Sequence, residues 1–304
     1  MLDKLTKNID KIVALFSLFA VLFALYLIYT LYLSFKQQEM VHSLDNALLL
    51  TKNMLDEEKS HALSLSLMLS EDEVLIKYYR KNNRRKVFTL INSKIKTLQQ
   101  IQGYTVDVQV HDANIYTYVR SWDYNVTAIP LASFREGIVA VKETKKPLVS
   151  IEIGKRLNIK AISPILYNGK YIGSIEVIEG FRHLQEKLAQ QGYAFFILLD
   201  KRYLDIATSL KKHPLVDNHY VLVNNFYDKN SFERLQQSKL DKLGKYGYFG
   251  NGRYAFGYFA IYNLHNEPLG YCMVAFKNEN AKMLRAYNEN AKIEQNRHSK
   301  VIIR

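Results

Sequence analysis

The stretch Ser163–Val177, SPILYNGKYIGSIEV, decides the fold of this chain. Two mostly apolar runs, Ile159–Leu166 and Tyr171–Ile178, flank the dipeptide Asn168-Gly169. A two-residue type I′ hairpin turn needs positive φ at both central positions, and Asn followed by Gly adopts it most readily. The pattern therefore predicts two buried antiparallel strands joined by a tight turn.

Further strands are predicted upstream of this hairpin. Tyr104–Val110 alternates between apolar and polar residues, as do Ile115–Arg120 and Leu148–Ile153. Alternation with a period of two is typical of half-buried strands. With a short helix over Ser133–Val141, these strands predict a first αβ module spanning residues 103–181.

A similar succession follows in the second half of the chain. Tyr193–Leu199 is an apolar run, and Arg253–Ile261 and Leu269–Phe276 form a second predicted hairpin. We assign a second αβ module to residues 192–278 and a C-terminal helix to the charged segment 279–304, whose first part lacks glycine and proline. The fold class is therefore α+β, with two antiparallel modules that suggest a structural duplication.

Between the N-terminus and the first module lies a helical segment. Residues 36–102 contain neither proline nor glycine, and their leucines repeat at three- and four-residue spacing, which predicts a long amphipathic helical stalk. Ser70–Glu73 fits a capping box, so one helix should end near Leu69 and the next begin at Glu71. Lys81–Lys86 predicts a turn before a third helical piece. Such a stalk either packs against its copy in a dimer or holds the modules away from a membrane.

The N-terminal apolar segment predicts a membrane anchor. Ile12–Phe35 has 24 residues without a charge, and a helix of that length, about 36 Å, crosses a hydrocarbon core of about 30 Å. A cleaved signal peptide has a shorter apolar region and a small-residue cleavage site, which this segment lacks. Lys4, Lys7 and Lys11 precede the span, so residues 1–11 should stay in the cytoplasm and the rest of the chain should be exported.

Composition and motifs argue against several classes of protein. The net charge is +13, but the basic residues accompany no RNP, zinc-finger or helix-turn-helix pattern, which argues against nucleic-acid binding. A single cysteine, Cys272, forms no intrachain disulfide and no Cys-rich zinc or haem site. No nucleophile elbow, zinc-protease, phosphate-loop, kinase or cyclase motif is present. We therefore expect no catalytic residues, no metal and no cofactor.

Five blocks between residues 110 and 180 carry a resemblance to a known family. They are His111-Asp112, YVRSW at Tyr118–Trp122, SFREGIVAV at Ser133–Val141, KPLVSIEIG at Lys146–Gly154 and SPILYNGKYIGSIEV at Ser163–Val177. Their order and spacing resemble the first module of double-Cache sensor domains, the extracytoplasmic PAS-like receptors of bacterial chemotaxis proteins, sensor kinases and diguanylate cyclases. More loosely, the resemblance covers most of residues 36–304.

The resemblance implies an arrangement and a function. A membrane-distal module, here residues 103–181, usually holds the ligand, and a membrane-proximal module, here residues 192–278, relays the change. The chain would be anchored in a bacterial inner membrane, with its soluble part periplasmic and with a homodimer formed through the long helix. The family usually has a second membrane span and a cytoplasmic output domain. This chain contains only the first span, so either the rest follows Arg304 or the signal passes through another protein.

Three aromatic and basic residues suggest a ligand site in the first module. Tyr118, Arg120 and Trp122 are two residues apart, which puts their side chains on one face of a regular strand. A guanidinium grips a carboxylate with two hydrogen bonds, and an aromatic side chain can hold an amine. In the alternative interpretation, Tyr118 and Trp122 are ordinary core residues.

Three further residues carry charge next to that strand. Arg135 opens the short helix, and Glu152 and Glu176 lie in apolar strands, where an unpaired carboxylate is costly. The two carboxylates either meet an arginine, such as Arg135 on Glu152, or receive the ammonium group of a ligand. We therefore expect a sensor of a small carboxylate or amino acid. The alternative is a membrane-anchored periplasmic interaction module that binds a protein partner without sensing a small molecule.

Overall fold

The computed structural model describes residues 2–241 and 243–284. Its helices are α1 (Leu2–Ser70), α2 (Glu73–Arg80), α3 (Arg84–Gln102), α4 (Glu136–Thr144), α5 (Arg182–Gln190) and α6 (Lys229–Gln236). The strands of the first sheet are β1 (Asp107–Asp112), β2 (Thr117–Arg120), β3 (Leu148–Ile153), β4 (Leu157–Tyr167) and β5 (Lys170–Glu179). Those of the second are β6 (Ala194–Asp200), β7 (Leu215–Val216), β8 (Tyr220–Leu222), β9 (Tyr246–Asn251), β10 (Tyr254–Tyr262) and β11 (Pro268–Lys277). The C-terminal helix predicted over residues 279–304 lies almost entirely outside the described residues.

Helix α1 is continuous from the predicted anchor to the first module. It contains 69 residues, or about 100 Å at 1.5 Å per residue, and it is the single helix of the described part that is long and apolar enough to cross a membrane. Residues 12–35 are almost all exposed, whereas from Met40 onward one side of α1 is buried against the two modules. The predicted span and the first part of the predicted stalk, residues 36–70, thus belong to one helix.

The predicted stalk, residues 36–102, is not a single rod. It comprises the second half of α1 and two shorter helices, α2 and α3, that belong to the first module. The helix cap predicted at Ser70 is wrong, because Asp72 caps α2 by accepting a hydrogen bond from the Leu75 amide at 2.8 Å. The turn predicted at Lys81–Lys86 is confirmed at its first three residues, and Asn83 caps α3.

The first sheet is antiparallel, with strand order β2-β1-β5-β4-β3. The predicted hairpin joins β4 to β5, and Asn168 and Gly169 have positive φ, at 50° and 72°. One face of this sheet packs against α1, α2 and α3, and α4 covers the other. The α+β architecture of two antiparallel modules predicted from the sequence is therefore confirmed.

The second sheet is also antiparallel, with strand order β7-β8-β6-β11-β10-β9. One face packs on α1, and the other carries a cluster of aromatic residues beneath α6. The sequence analysis did not assign β9, a strand that contains two glycines, Gly247 and Gly250. One of them, Gly250, has no room for a Cβ beside the backbone of Ala281, so this glycine permits a close approach instead of breaking the strand.

Both modules pack against α1, at different positions along its length. In the second module, the Tyr248 hydroxyl donates to the carboxylate of Asp45. In the first module, the hydroxyls of Ser66 and Ser163 lie 2.7 Å apart in the core. The second module therefore contacts α1 closer to its apolar end than the first module does.

Candidate ligand-binding site

The face of the first sheet that lies beneath α4 is unusually polar. Part of it is an ordinary apolar cluster around Ile138 and Ile162. The rest consists of buried polar and charged side chains, which are Gln109, His111, Arg135, Ser150, Glu152, Lys160, Ser174 and Glu176. We call these eight residues the polar cluster. Buried charges are costly unless they are paired, so such a concentration points to a functional site.

Arg135 is the centre of the polar cluster. It precedes the first turn of α4, and its guanidinium turns down onto the sheet. Its Nη2 atom donates to Glu176 Oε1 on β5, and its Nε atom lies 3.7 Å from Glu152 Oε2 on β3. Ser150 donates a hydrogen bond of 2.6 Å to Glu152. The pair of Arg135 with Glu152, one of the two alternatives left open by the sequence, is thus present in the structure. The helix predicted to begin at Ser133 begins at Glu136.

The charges in the cluster stabilise each other. Burial alone would raise the pKa of Glu176, but the Arg135 guanidinium, His111 and Lys160 together outweigh burial and hold that pKa well below its usual range. Burial also acts against the charged form of Arg135, and the two carboxylates overcome it, so the Arg135 pKa is raised. His111 is fully buried, its pKa is lowered by that burial, and its Nδ1 lies 3.0 Å from Ser174 Oγ. We conclude that Arg135 and Glu176 are ionised and that His111 is neutral.

Lys160 is a member of the cluster that the sequence analysis did not single out. Burial, and then the nearby Arg135, lower its pKa to about 8. Its Nζ donates to the Ile153 carbonyl at 3.3 Å. The signal was available, because Lys160 is a single cation inside a predicted apolar strand. With Lys160 protonated, two buried cations balance the two buried carboxylates, Glu152 and Glu176.

Arg120 lies at the edge of the cluster and adds a further positive charge. Its Nε donates to Gln109 Oε1 at 3.1 Å, and its Cζ lies 5.6 Å from the ring centroid of Trp122. Trp122 is 47% exposed, and Arg120 is partly buried. In the described part of the chain, no carboxylate lies within ion-pair distance of Arg120. A half-buried guanidinium beside an accessible indole is a favourable place for a small anion.

Tyr118 does not join this group. The pairing of β1 with β2 shifts between Val110, which faces Val119, and His111, which faces Thr117. This bulge leaves Tyr118 as the extra residue and breaks the two-residue alternation. The Tyr118 ring packs edge-on against Tyr79 of α2, with centroids 4.9 Å apart. The prediction that Tyr118 and Arg120 share one face is therefore wrong.

A second polar group connects the first module to α1. His61 of α1 lies 3.3 Å from Glu179 at the end of β5, and the Tyr104 hydroxyl lies 3.2 Å from the same imidazole nitrogen. His183 of α5 contacts Glu58 of α1 at 2.7 Å. The hydrogen bond with Glu179 raises the pKa of His61, and burial raises the pKa of Glu179. We call these five residues the junction.

Neither group has the geometry of a metal site. Among the described residues, no three His, Cys, Asp or Glu side chains are placed so that they could hold a metal ion. In the polar cluster, His111 has one carboxylate neighbour, Glu176, at 3.5 Å. Cys272 is buried in the second module.

Comparison with known proteins identifies a family. A family described as the double sensory domain of two-component sensor kinases matches residues 37–275. No curated protein matches the sequence.

Solved structures provide a second comparison. The chain is similar to the sensor domain of the V. cholerae histidine kinase DctB, with 12% identity over 82% of this chain and 98% of that one and a TM-score of 0.46. It is similar to a domain of a Vibrio parahaemolyticus sensory box/GGDEF family protein, with 13% identity, coverages of 80% and 98%, and a TM-score of 0.49. For the sensory domain of the Campylobacter jejuni chemoreceptor Tlp3 with isoleucine bound, the identity is 11%, the coverages are 80% and 95%, and the TM-score is 0.48.

Proposed function

The chain belongs to the double-Cache family of sensory domains, and on that premise we propose that it senses a small anionic ligand, a carboxylate or an amino acid, in its first module. Members of the family are non-catalytic sensory modules. In the proposal, the chain is the extracytoplasmic sensor of a bacterial transmembrane receptor. It is held in the inner membrane by the apolar part of α1, with both modules in the periplasm.

One observation carries the choice of ligand. Arg120 is a partly buried guanidinium with no carboxylate partner in the described residues, and it lies beside the half-exposed ring of Trp122. The buried charges behind it, on Arg135, Lys160, Glu152 and Glu176, balance each other, so a bound anion would neutralise the one excess cation. An amino acid adds an ammonium group, for which Glu152 and Glu176 are the proposed acceptors.

The strand β5 offers a route from this site to the membrane. It carries Glu176 in the polar cluster and, three residues later, Glu179 in the junction. A ligand that attracts Arg135 away from Glu176 would change the hydrogen bonding of β5. The change would reach His61 of α1 through Glu179. Small shifts of packed elements of this kind are a known means of switching.

The proposal includes a homodimer formed through α1. Its side chains that remain exposed between residues 42 and 68 recur every three or four positions along one stripe. They are His42, Asn46, Leu49, Asn53, Glu57, Ser60, Ser64 and Met68. A contact along this stripe would be mainly polar, with Leu49 and Met68 as its apolar residues.

The test uses Trp122, the single tryptophan of the chain. We would titrate the full-length chain in lipid nanodiscs with a panel of carboxylates and amino acids, following tryptophan fluorescence and the thermal unfolding midpoint. A ligand at a hundred times its Kd stabilises the native state by about 2.7 kcal/mol. We expect Arg120→Ala to abolish both responses.

The matched control is Arg202→Ala. Arg202 also stacks on an aromatic ring, that of Tyr203 with Cζ at 4.9 Å, but it lies in the second module, so its loss should leave the responses unchanged. If no compound of the panel shifts either signal, the small-molecule proposal fails. The alternative, an interaction module for a protein partner, would then be the better description. If Arg120→Ala responds like the wild type, the site lies elsewhere.

A further inference from the structure

The positive charge of this protein is concentrated at one place. From Val74 to Val106 the chain has eight basic residues and no acidic one. The whole chain has a net charge of +13, so this segment, which includes α2 and α3, supplies more than half of the excess. Such a concentration produces a local potential that attracts anionic partners.

The end of the first module beyond α1 brings further cations next to this segment. Arg80, at the end of α2, stacks on the ring of Tyr167 with its Cζ 3.4 Å from the centroid. Lys145, after α4, donates to the carbonyl of Gly169 in the β4–β5 turn at 3.3 Å. The turns between α2 and α3, between α4 and β3, and between β4 and β5 carry exposed cations, which we call the basic tip. They are Arg80, Lys81, Lys145, Lys146 and Lys170.

Among the residues that the structure describes, no acidic side chain neutralises the charges of the basic tip. None of its five cations forms an ion pair with a carboxylate in the described part of the chain. Of the acidic residues nearby, Asp112 accepts hydrogen bonds from the amides of Asn114 and Tyr116, and Glu143 lies on α4 facing solvent. Lysines that no internal carboxylate holds are available to a partner.

Two features indicate which kind of partner fits. The helix from Phe35 to Ser70 is about 52 Å long, and charges are screened beyond about 8 Å at physiological ionic strength, so the lipids around the anchor do not attract the tip. Exposed apolar side chains also lie on or next to the elements that carry the cations. Val74 is 52% exposed, and Leu166 and Tyr167 are each 39% exposed. A sulfated or phosphorylated polymer gives these side chains nothing to pack against, whereas a protein surface does.

We propose that the basic tip, with these apolar residues, is a docking surface for an acidic patch on a second protein. Opposite charges would steer the encounter and fix the orientation, and Val74, Leu166 and Tyr167 would supply the part of the interface that excludes water. The surface is separate from the polar cluster beneath α4, and the proposal does not depend on the small-molecule ligand.

The structure also connects this surface to the strands of the ligand site. Tyr79, next to Arg80, donates to the Ile172 carbonyl of β5 at 2.8 Å and is within 3.3 Å of the His111 carbonyl of β1. Gly173 leaves no room for a Cβ between these groups. A partner that moves the end of α2 therefore acts on both strands, so partner binding and ligand binding are expected to be coupled reciprocally.

The experiment uses the full-length chain in nanodiscs made of uncharged lipid and three soluble probes. The probes are a random copolymer of glutamate and tyrosine, polyglutamate, and inorganic polyphosphate. The variant Lys81→Glu/Lys145→Glu/Lys170→Glu reverses the tip, and Lys211→Glu/Lys212→Glu/Lys239→Glu makes the same change of charge at exposed lysines of the second module.

We expect the wild type to bind the copolymer more tightly than the other probes. The tip variant should lose about tenfold or more in affinity for the copolymer, with a weaker salt dependence, because three charge contacts are removed. The control variant should change by less than about threefold, which is the effect of net charge alone. The milder pair Lys145→Gln/Lys170→Gln should give an intermediate loss and guards against a folding defect in the triple variant.

Apolar substitutions separate a protein partner from a polyanion. Val74→Ser/Leu166→Ser should weaken binding of the copolymer and leave that of polyphosphate unchanged. If polyphosphate binds as tightly as the copolymer and the apolar pair has no effect, the surface recognises polyanions and the proposal is overturned. It is also overturned if the control variant loses as much affinity as the tip variant, because the binding would then reflect only the net charge.

Discussion

Replacing Arg135 by Met tests whether the polar cluster depends on one cation. The substitution keeps an unbranched, apolar side chain in place of the arginine stem but removes the guanidinium that pairs with Glu176 and Glu152. Removing one member of a buried ion pair typically costs about 3–5 kcal/mol, because the remaining charge stays buried. Since Arg135 serves two carboxylates, we expect a cost near the upper end of that range at neutral pH.

The same reasoning predicts how the cost depends on pH. In the wild type the pKa of Glu176 is held below its usual range by Arg135, so this group contributes stability that is present above the unfolded pKa and lost in acid. Without Arg135, burial dominates and the folded pKa rises above the unfolded one. Folded Arg135→Met then binds more protons than the unfolded chain, and its stability falls by up to about 1.4 kcal/mol per pH unit as pH rises between the two pKa values.

Urea denaturation of the full-length chain in detergent, followed by near-ultraviolet circular dichroism at pH 5 and pH 7, measures both effects. The control is Arg182→Met, which removes an exposed pair with Glu186 at 2.7 Å; a surface pair of this spacing contributes about 0.3–0.5 kcal/mol. A cost for Arg135→Met as small as that of the control, or equal at the two pH values, would refute the reasoning. Adding Glu176→Gln to Arg135→Met should recover part of the loss.

Three further predictions concern the coupling elements and the ligand. Tyr79→Phe removes the hydrogen bond to Ile172 and should lower the free energy of unfolding by about 1 kcal/mol, measured by urea titration; no change would mean that the bond contributes nothing. The hydrogen bond with Glu179 raises the pKa of His61, so the stability that protonated His61 supplies is present at low pH and lost as pH rises through the folded pKa. The substitution His61→Asn should therefore lower the free energy of unfolding more at pH 6 than at pH 9. Equal losses at the two pH values would contradict this pH dependence. Because the pKa of Lys160 is about 8, this cation loses its proton between pH 7 and pH 9. The Kd of an anionic ligand, measured by calorimetric titration, should therefore rise about tenfold over that range. If a Lys160→Met variant keeps this pH dependence, another group is responsible for it.

Local sequence signals predicted the framework of the first module well. Asn168-Gly169 specifies its own turn, because the backbone geometry of a two-residue hairpin depends on those two residues alone. The cost of burying a carboxylate also makes a prediction without a structure: Glu152 and Glu176 lie in apolar strands, so an arginine was expected nearby, and Arg135 contacts both. Such inferences succeed because a strong local constraint has few solutions.

Other parts of the site depended on contacts between distant segments. The bulge that displaces Tyr118 arises from the pairing of β1 with β2, and no residue type in β2 predicts a bulge. Lys160 was overlooked because a lysine in a strand is usually exposed, and its burial follows only from how α4 covers the sheet. The junction between His61 and Glu179 joins residues 118 positions apart, a separation at which periodicity has no predictive value.

The unbroken course of α1 has a geometric consequence for signalling. Each residue of an α-helix turns the chain by about 100°, so every side of the predicted membrane span has a fixed rotational relation to Asp45, which contacts the second module, and to His61, which contacts the first. One alanine inserted between Lys36 and Met40 would turn the anchor by about 100° relative to both modules, and seven would return it to within about 20°. The output of the proposed receptor should follow this angular period and not the length of the insertion.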